Sequence, residues 1–318
     1  MMALSTFSVQ RTAVGGRVSS PCCALIFIQG GARSGPPRQQ PSAEMTHHQV
    51  LTDSEKAQVF RPKSAARVLL IQVGTPPLEI RDSQGDLPIW FSQALGKPVA
   101  DLDVVRVFED EQLPPPDPNK VAIITGSWEM VTDRHGWSEL TAEWIRQAVA
   151  IRMPLFGVCY GHQLMAHALG GRVDFHPEGR EMGCLDIVKT AAGEADPFLM
   201  NWPHRFQAHL THLQTVMELP PGATTLAVSR HDRHQVVRYG PNAISTQFHP
   251  EFTPAISAAC IQKRRQALHE EGRDPDAMLS ALKDTPEAMG MLRAFVASAA
   301  GESAHQEPSS TTFCDTIG

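Results

Sequence analysis

Cys159 is the residue whose setting could most directly do chemistry. It stands in Gly157-Val158-Cys159-Tyr160-Gly161-His162-Gln163, with one glycine two positions before it and another two after. Between a strand and a helix, this spacing is that of a nucleophile elbow, a turn so tight that its flanks take no bulky side chain. The sulfur then sits at a helix N-terminus, where free N–H groups and the helix dipole favour the thiolate, the reactive form. Taken alone, Cys159 reads equally well as a small buried hydrophobe, as free cysteines commonly are. The whole seven-residue pattern is more specific than that.

A cysteine nucleophile needs a base and a group that orients the base. His249-Pro250-Glu251 offers both, with the glutamate close enough to hold the imidazole by a hydrogen bond. His249 lies far downstream of Cys159, so only the fold can join them. A turn histidine beside a surface glutamate is the plainer reading, and it suits most of the other histidines better. Thr125-Gly126-Ser127 is the third segment. A glycine at a strand end lets a backbone N–H face a site, and with the N–H of Tyr160 it would form an oxyanion hole. By itself, Gly-Ser after a strand is usually just a turn.

These segments require a sheet with its carboxyl edge at the site. Val68–Val73 is a nearly continuous apolar run and reads as a buried parallel strand. Val104–Phe108, Val121–Ile124 and Pro154–Val158 read as three more. Ser138 is placed to cap a helix whose apolar stripe is Leu140, Trp144, Ile145, Ala148 and Val149. A helix from about His162 to Leu169 follows the cysteine and is stopped by Gly170-Gly171. Strand–helix alternation predicts an α/β fold, an open and mostly parallel sheet with helices on both faces. Beyond Arg172 the pattern changes. Leu185–Lys189, Phe206–Leu210, Thr225–Ser229, Gln235–Tyr239 and Ala243–Phe248 predict an antiparallel strand extension. Two or three helices close the domain between about Pro254 and Ala300.

Composition narrows the function classes. The chain has 318 residues, 42% of them hydrophobic, enough for one large domain. Net charge is −6 with no long basic run, so no nucleic-acid partner is expected. No apolar run approaches a membrane span. The six cysteines include no CxxC and form no regular framework, which points to a reducing, cytoplasmic setting. Despite fourteen histidines there is no HExxH, so no metal is expected. GxGxxG and GxxxxGK[ST] are absent, and no cofactor is expected. Residues 1–65 lack periodicity and read as a disordered extension, as does the polar tail 301–318. Within residues 1–43 there is no Asp or Glu, but there are Arg11, Arg17, Arg33 and Arg38, a bias like that of a transit peptide. A start at Met45 is the alternative.

The three motifs in this order resemble the class I glutamine amidotransferase family over roughly residues 66–255. The chain is most similar to the stand-alone, GMP synthase-like branch, and also to plant γ-glutamyl peptidases. The resemblance implies a flavodoxin-like catalytic domain over 66–300 and a Cys159–His249–Glu251 triad. It implies attack by Cys159 on the γ-carbonyl of glutamine or a γ-glutamyl group, with oxyanion N–H groups from Gly126 and Tyr160. It places Gln163 in the substrate pocket and His212 near it. Thr211 precedes His212 where relatives often carry Ser, and Leu213-Gln214 follow where GMP synthetases carry Gly-Asp. No SGGxDS-type ATP loop occurs, so any ammonia made goes to a separate synthase or is released. Three functions stay open at this point: glutaminase, γ-glutamyl peptide hydrolase, and a partner-gated or regulatory glutamine-binding subunit.

Overall fold

The computed structural model describes residues 67–301. The expectations for residues 1–65 and for the tail beyond Gly301 fall outside the described residues. The first half alternates strands and helices: β1 (Val68–Gln72), α1 (Leu78–Gln84), α2 (Leu87–Leu95), β2 (Leu102–Arg106), β3 (Val121–Ile124), α3 (Gly136–Ala150), β4 (Leu155–Val158) and α4 (Tyr160–Ala168). The second half runs β5 (Arg172–Phe175), β6 (Glu181–Lys189), α5 (Ala191–Ala195), β7 (Arg205–His212), β8 (Gln214–Glu218), β9 (Thr224–Val228), β10 (Val236–Gly240) and β11 (Ala243–Thr246). Four helices close it: α6 (Pro254–Lys263), α7 (Arg265–Glu270), α8 (Pro275–Ser280) and α9 (Pro286–Ala299).

Nine strands form one mixed sheet in the order β2-β1-β3-β4-β11-β10-β9-β6-β7. The first five run parallel, with β11 inserted beside β4. From β11 to β7 each pairing is antiparallel. The parallel strands bury both faces, because alternate residues feed two cores. Val68, Leu70, Ile123 and Phe156 meet Trp90 and Phe91 of α2 and Leu292 and Phe295 of α9. Leu69, Ile71, Ile124 and Leu155 meet Trp144 and Ile145 of α3 and Leu164 and Met165 of α4.

The antiparallel part curls back on itself. Its last strand, β7, makes an isolated bridge between His209 and His249, just beyond β11. The fold departs from expectation in five details. Ser138 is not a cap: α3 begins at Gly136, and Ser138 is buried inside its first turn. The strand expected at Leu185 begins at Glu181, because pairing with β7 carries it on. A two-stranded ribbon, β5 with β8, was not legible, and neither were helices α1 and α2. Four closing helices stand where two or three were expected. Among the described residues no helix is long and apolar enough to cross a membrane.

Candidate active site

Cys159 joins β4 to α4 with φ 50° and ψ −96°, a backbone conformation that costs a non-glycine residue about 1–3 kcal/mol. Its neighbours make that turn achievable. A Cβ on Gly157 would stand 2.6 Å from Met165 Sδ and 2.7 Å from the Gly161 carbonyl oxygen; one on Gly161 would stand 2.6 Å from the Ile124 oxygen. Only hydrogen fits at either place. The Cys159 N–H donates to the Thr246 carbonyl at 2.8 Å, and the Cys159 carbonyl accepts the first helical bond, from Gln163 N–H at 3.0 Å.

Three chain segments converge on the sulfur. A methyl group on Gly126 would lie 3.0 Å from Cε1 of His249 and 3.6 Å from Cβ of Cys159, so this glycine is the hinge-point between the two side chains. His249 Nδ1 is 2.8 Å from Glu251 Oε1, and its other nitrogen, Nε2, is buried with no partner. Phe252 stacks on the His249 ring, centroids 4.0 Å apart and planes 22° apart. The His249 N–H donates to the His209 carbonyl at 2.9 Å. Thr125 braces the third segment by accepting from the Val73 N–H at 3.2 Å and donating to the Gly126 carbonyl at 2.9 Å. Among the described residues the N–H groups of Gly126 and Tyr160 donate to nothing, which leaves both free to meet a developing oxyanion.

Charge is arranged around the sulfur to favour the thiolate. Burial would raise the Cys159 pKa, but the charges of His249 and then His212 outweigh it and hold the thiol below its ordinary range. Burial likewise opposes charge on His249, yet the Glu251 carboxylate and the Cys159 thiolate raise its pKa. Each shift favours the charged form of its group, thiolate on Cys159 and imidazolium on His249.

His212 supplies a second cation, and its hydrogen bonds say why. Nδ1 lies 3.0 Å from the Gln214 carbonyl oxygen and Nε2 lies 2.9 Å from Glu181 Oε2. Both partners only accept, so both ring nitrogens carry protons. Burial disfavours that charge, but Glu181 and Asp232 raise the His212 pKa above its usual value. Glu181 in turn accepts from Ser229 Oγ at 2.6 Å and Gln235 Nε2 at 2.7 Å. Glu181, His212 and Asp232 offer ligand atoms within 4.8 Å of one another, a geometry in which a metal could sit. Here the ligand atoms of Glu181 and His212 are instead committed to hydrogen bonds.

Gln163 reaches the same Gln214 carbonyl with Nε2 at 2.7 Å and also donates to Gln247 Oε1 at 2.9 Å. Its amide donors are used, and the residue lines the cavity with Cys159 and His212. The Tyr160 phenol bonds Ser138 Oγ at 2.8 Å and packs at Trp137, which leaves the backbone as this residue's contribution. His162 is a brace between α4 and β11, 2.7 Å from Ser245 Oγ, and burial pushes its pKa down to about 3. All seven candidates from the sequence therefore lie in one place. Sequence reasoning did not single out Phe252, Glu181, Gln247 or Arg264. Only Phe252, adjacent to the His-Pro-Glu motif, carried any signal.

A family model described as glutamine amidotransferase class-I matches residues 90–264, more than half of the chain. Gamma-glutamyl peptidase 5 of Arabidopsis thaliana is 26% identical over 177 residues, 54% of this chain and 70% of that protein. The glutamine amidotransferase-like protein YfeJ of Salmonella typhimurium is 31% identical over 169 residues, 51% of this chain and 70% of its own. The GMP synthase of Thermomicrobium roseum is 36% identical over 99 residues, 31% of this chain but 18% of the synthase. In fold, the crystal structure of a glutamine amidotransferase from Thermotoga maritima superposes with a TM-score of 0.59 at 22% identity, covering 74% of this chain and 98% of that one. The chain belongs to the class I glutamine amidotransferase family.

Proposed function

We propose that residues 67–301 form a catalytic domain that hydrolyses γ-glutamyl amide bonds, those of glutamine included, through a thioester on Cys159. The observation that carries this reading is the convergence of Cys159, His249 and Glu251 around Gly126, with an unpartnered Nε2 on the imidazole. The Cys159 thiolate adds to the γ-carbonyl carbon. The N–H groups of Gly126 and Tyr160 donate hydrogen bonds to the oxyanion. His249 gives its Nε2 proton to the leaving nitrogen, the C–N bond breaks, and the γ-glutamyl thioester remains. Neutral His249 then takes a proton from water as it attacks the thioester, and glutamate leaves Cys159 as thiolate. Glu251 holds the ring through Nδ1 throughout.

In the acyl pocket, the Gln163 oxygen suits the substrate's ammonium group. Glutamine would release ammonia, for which a separate synthase is the fitting acceptor; the GMP synthases among the relatives support that pairing only over their shared portion. A free catalytic thiol fits a reducing, cytoplasmic setting, and the three cysteines within the described residues are all unpaired. The test is turnover of L-glutamine and γ-glutamyl amides by the purified full chain beside Cys159→Ala. The reading expects turnover that Cys159→Ala abolishes; equal turnover by the variant would sink it.

A further inference from the structure

Arg264 stands where α6 meets α7, and it lines the site. Among the described residues it forms no ion pair, and its Nη1 is buried without a hydrogen-bond partner. An unsatisfied buried donor on a charged group is costly, so a guanidinium left in this state points to a ligand that completes it. The guanidinium carbon lies 5.6 Å from the centre of the Trp128 ring, which holds the plane of the fork without using its donors.

The position is informative. One cavity contains Cys159, Tyr160, Gln163 and His212, the acyl side. A second contains His249, Glu251 and Phe252, with Leu87 and Trp90 behind them. The two share Ser127, Trp128, Thr211 and Arg264. Because His249 protonates the leaving nitrogen, the leaving group must extend into the cavity on its side. Arg264 lines that space where it borders the acyl cavity. The nearby charges do not satisfy it: Arg180 is itself a cation, 3.1 Å from Glu271, and Arg273 shares that same carboxylate at 3.8 Å. Glu251 lines the same cavity: its Oε1 holds His249, and its Oε2 has no hydrogen-bond partner yet forms no ion pair with Arg264.

Resting on the γ-glutamyl hydrolase reading above, we propose that Arg264, seated on Trp128, binds a carboxylate carried by the leaving group. The substrate class is then γ-glutamyl peptides whose released amine is an amino acid with a free carboxylate, in preference to glutamine. An arginine fork matches a carboxylate in two parallel hydrogen bonds. A site built around such a bond rejects the analogue that lacks it far more strongly than it sorts apolar size.

The experiment compares γ-glutamyl-alanine with γ-glutamyl-alaninamide, which differ only in that carboxylate. The full-length protein is expected to favour the acid by tens-fold in kcat/KM, mainly through KM. Arg264→Gln should lower kcat/KM at least tens-fold on the acid and no more than about threefold on the amide, and Arg264→Lys should retain part of the preference. A wild-type protein that treats acid and amide alike overturns the proposal whether or not the variants fold, and leaves the hydrolase reading standing. So does an Arg264→Gln protein that loses both substrates equally, which would assign Arg264 to the glutamyl α-carboxylate, or one that moves only the pH profile, which would make it a partner of Glu251. If the wild type cleaves neither compound, the hydrolase reading fails, and calorimetric titration of Cys159→Ala with both still decides: equal affinities overturn the carboxylate site, and a preference for the acid that Arg264→Gln removes upholds it.

Discussion

Phe252 lies almost flat on the ring of His249, 4.0 Å from it, and itself meets Trp90 edge-on at 5.6 Å. The imidazole is thereby held between an aromatic face and the Gly126 backbone, with Glu251 fixing its rotation. Phe252→Leu should keep the site apolar and loosen the ring. We expect a fall in kcat of about tenfold, from misplacement of the base, with KM little changed and a stability loss of about 1–3 kcal/mol, because leucine leaves part of the ring's buried volume empty. Steady-state kinetics beside thermal melting checks this; unchanged kcat would show that Glu251 alone orients the ring.

The thiolate–imidazolium pair sets the pH dependence. The Cys159 pKa is lowered and that of His249 raised, so the pair exists between the two values. As pH falls through the Cys159 value the thiolate is protonated and reactivity is lost; as pH rises through the His249 value the proton for the leaving group is lost. Alkylation of Cys159 by iodoacetamide should show a midpoint below that of an ordinary thiol, and His249→Ala should move it upward. A midpoint at or above the ordinary thiol value in the wild type would contradict the pairing.

Glu181 acts on the sulfur at one remove. Glu181→Gln replaces the acceptor facing His212 Nε2 with an amide and removes the carboxylate that raises the His212 pKa. His212 then loses a proton, and the Cys159 alkylation midpoint should rise. Breaking a buried pair by deleting one partner costs about 3–5 kcal/mol. Since the folded His212 pKa is raised, this stabilisation is fully present below the unfolded histidine value and fades as pH climbs through the folded one. The wild-type-minus-variant difference in urea midpoint should therefore be larger at pH 6 than at high pH; a difference that grows with pH would refute the charge assigned to His212.

Two glycines separate packing from propensity. Gly161→Ala puts a methyl 2.6 Å from the backbone oxygen of Ile124, which cannot yield as a side chain would. We expect a loss of about 1–3 kcal/mol from overpacking and little activity. Gly290→Ala, in the interior of α9, meets nothing within 4 Å and should add about 0.5–1 kcal/mol through helix propensity alone. Chemical denaturation of both variants measures the contrast.

The parallel strands and the elbow were legible because each is a local pattern: an apolar run such as Val68–Gln72, or glycines placed at the turn by sterics. The triad's members were legible by residue type, and their meeting follows from β11 inserting beside β4. Glu181 and Arg264 were not legible, since nothing local distinguishes them from surface charges; their meaning comes from being buried by distant segments. Ser138 looked like a cap because its residue type suits one, yet the tertiary bond to the Tyr160 phenol claims it. The short ribbon of β5 and β8 escaped notice because four- and five-residue strands with half-polar sequences carry little periodic signal.

The bridge between His209 and His249 has a consequence for how such a site can diversify. One strand, β7, carries His212 toward the substrate at its end and anchors the base three residues earlier. Substrate choice and proton transfer are thus mechanically geared to a single ribbon of backbone. A loop graft that reshapes the acyl pocket through β6 and β7 would move the imidazole with it, whereas changes at α6 and α7, around Arg264, can retune the far side of the scissile bond while the base stays still.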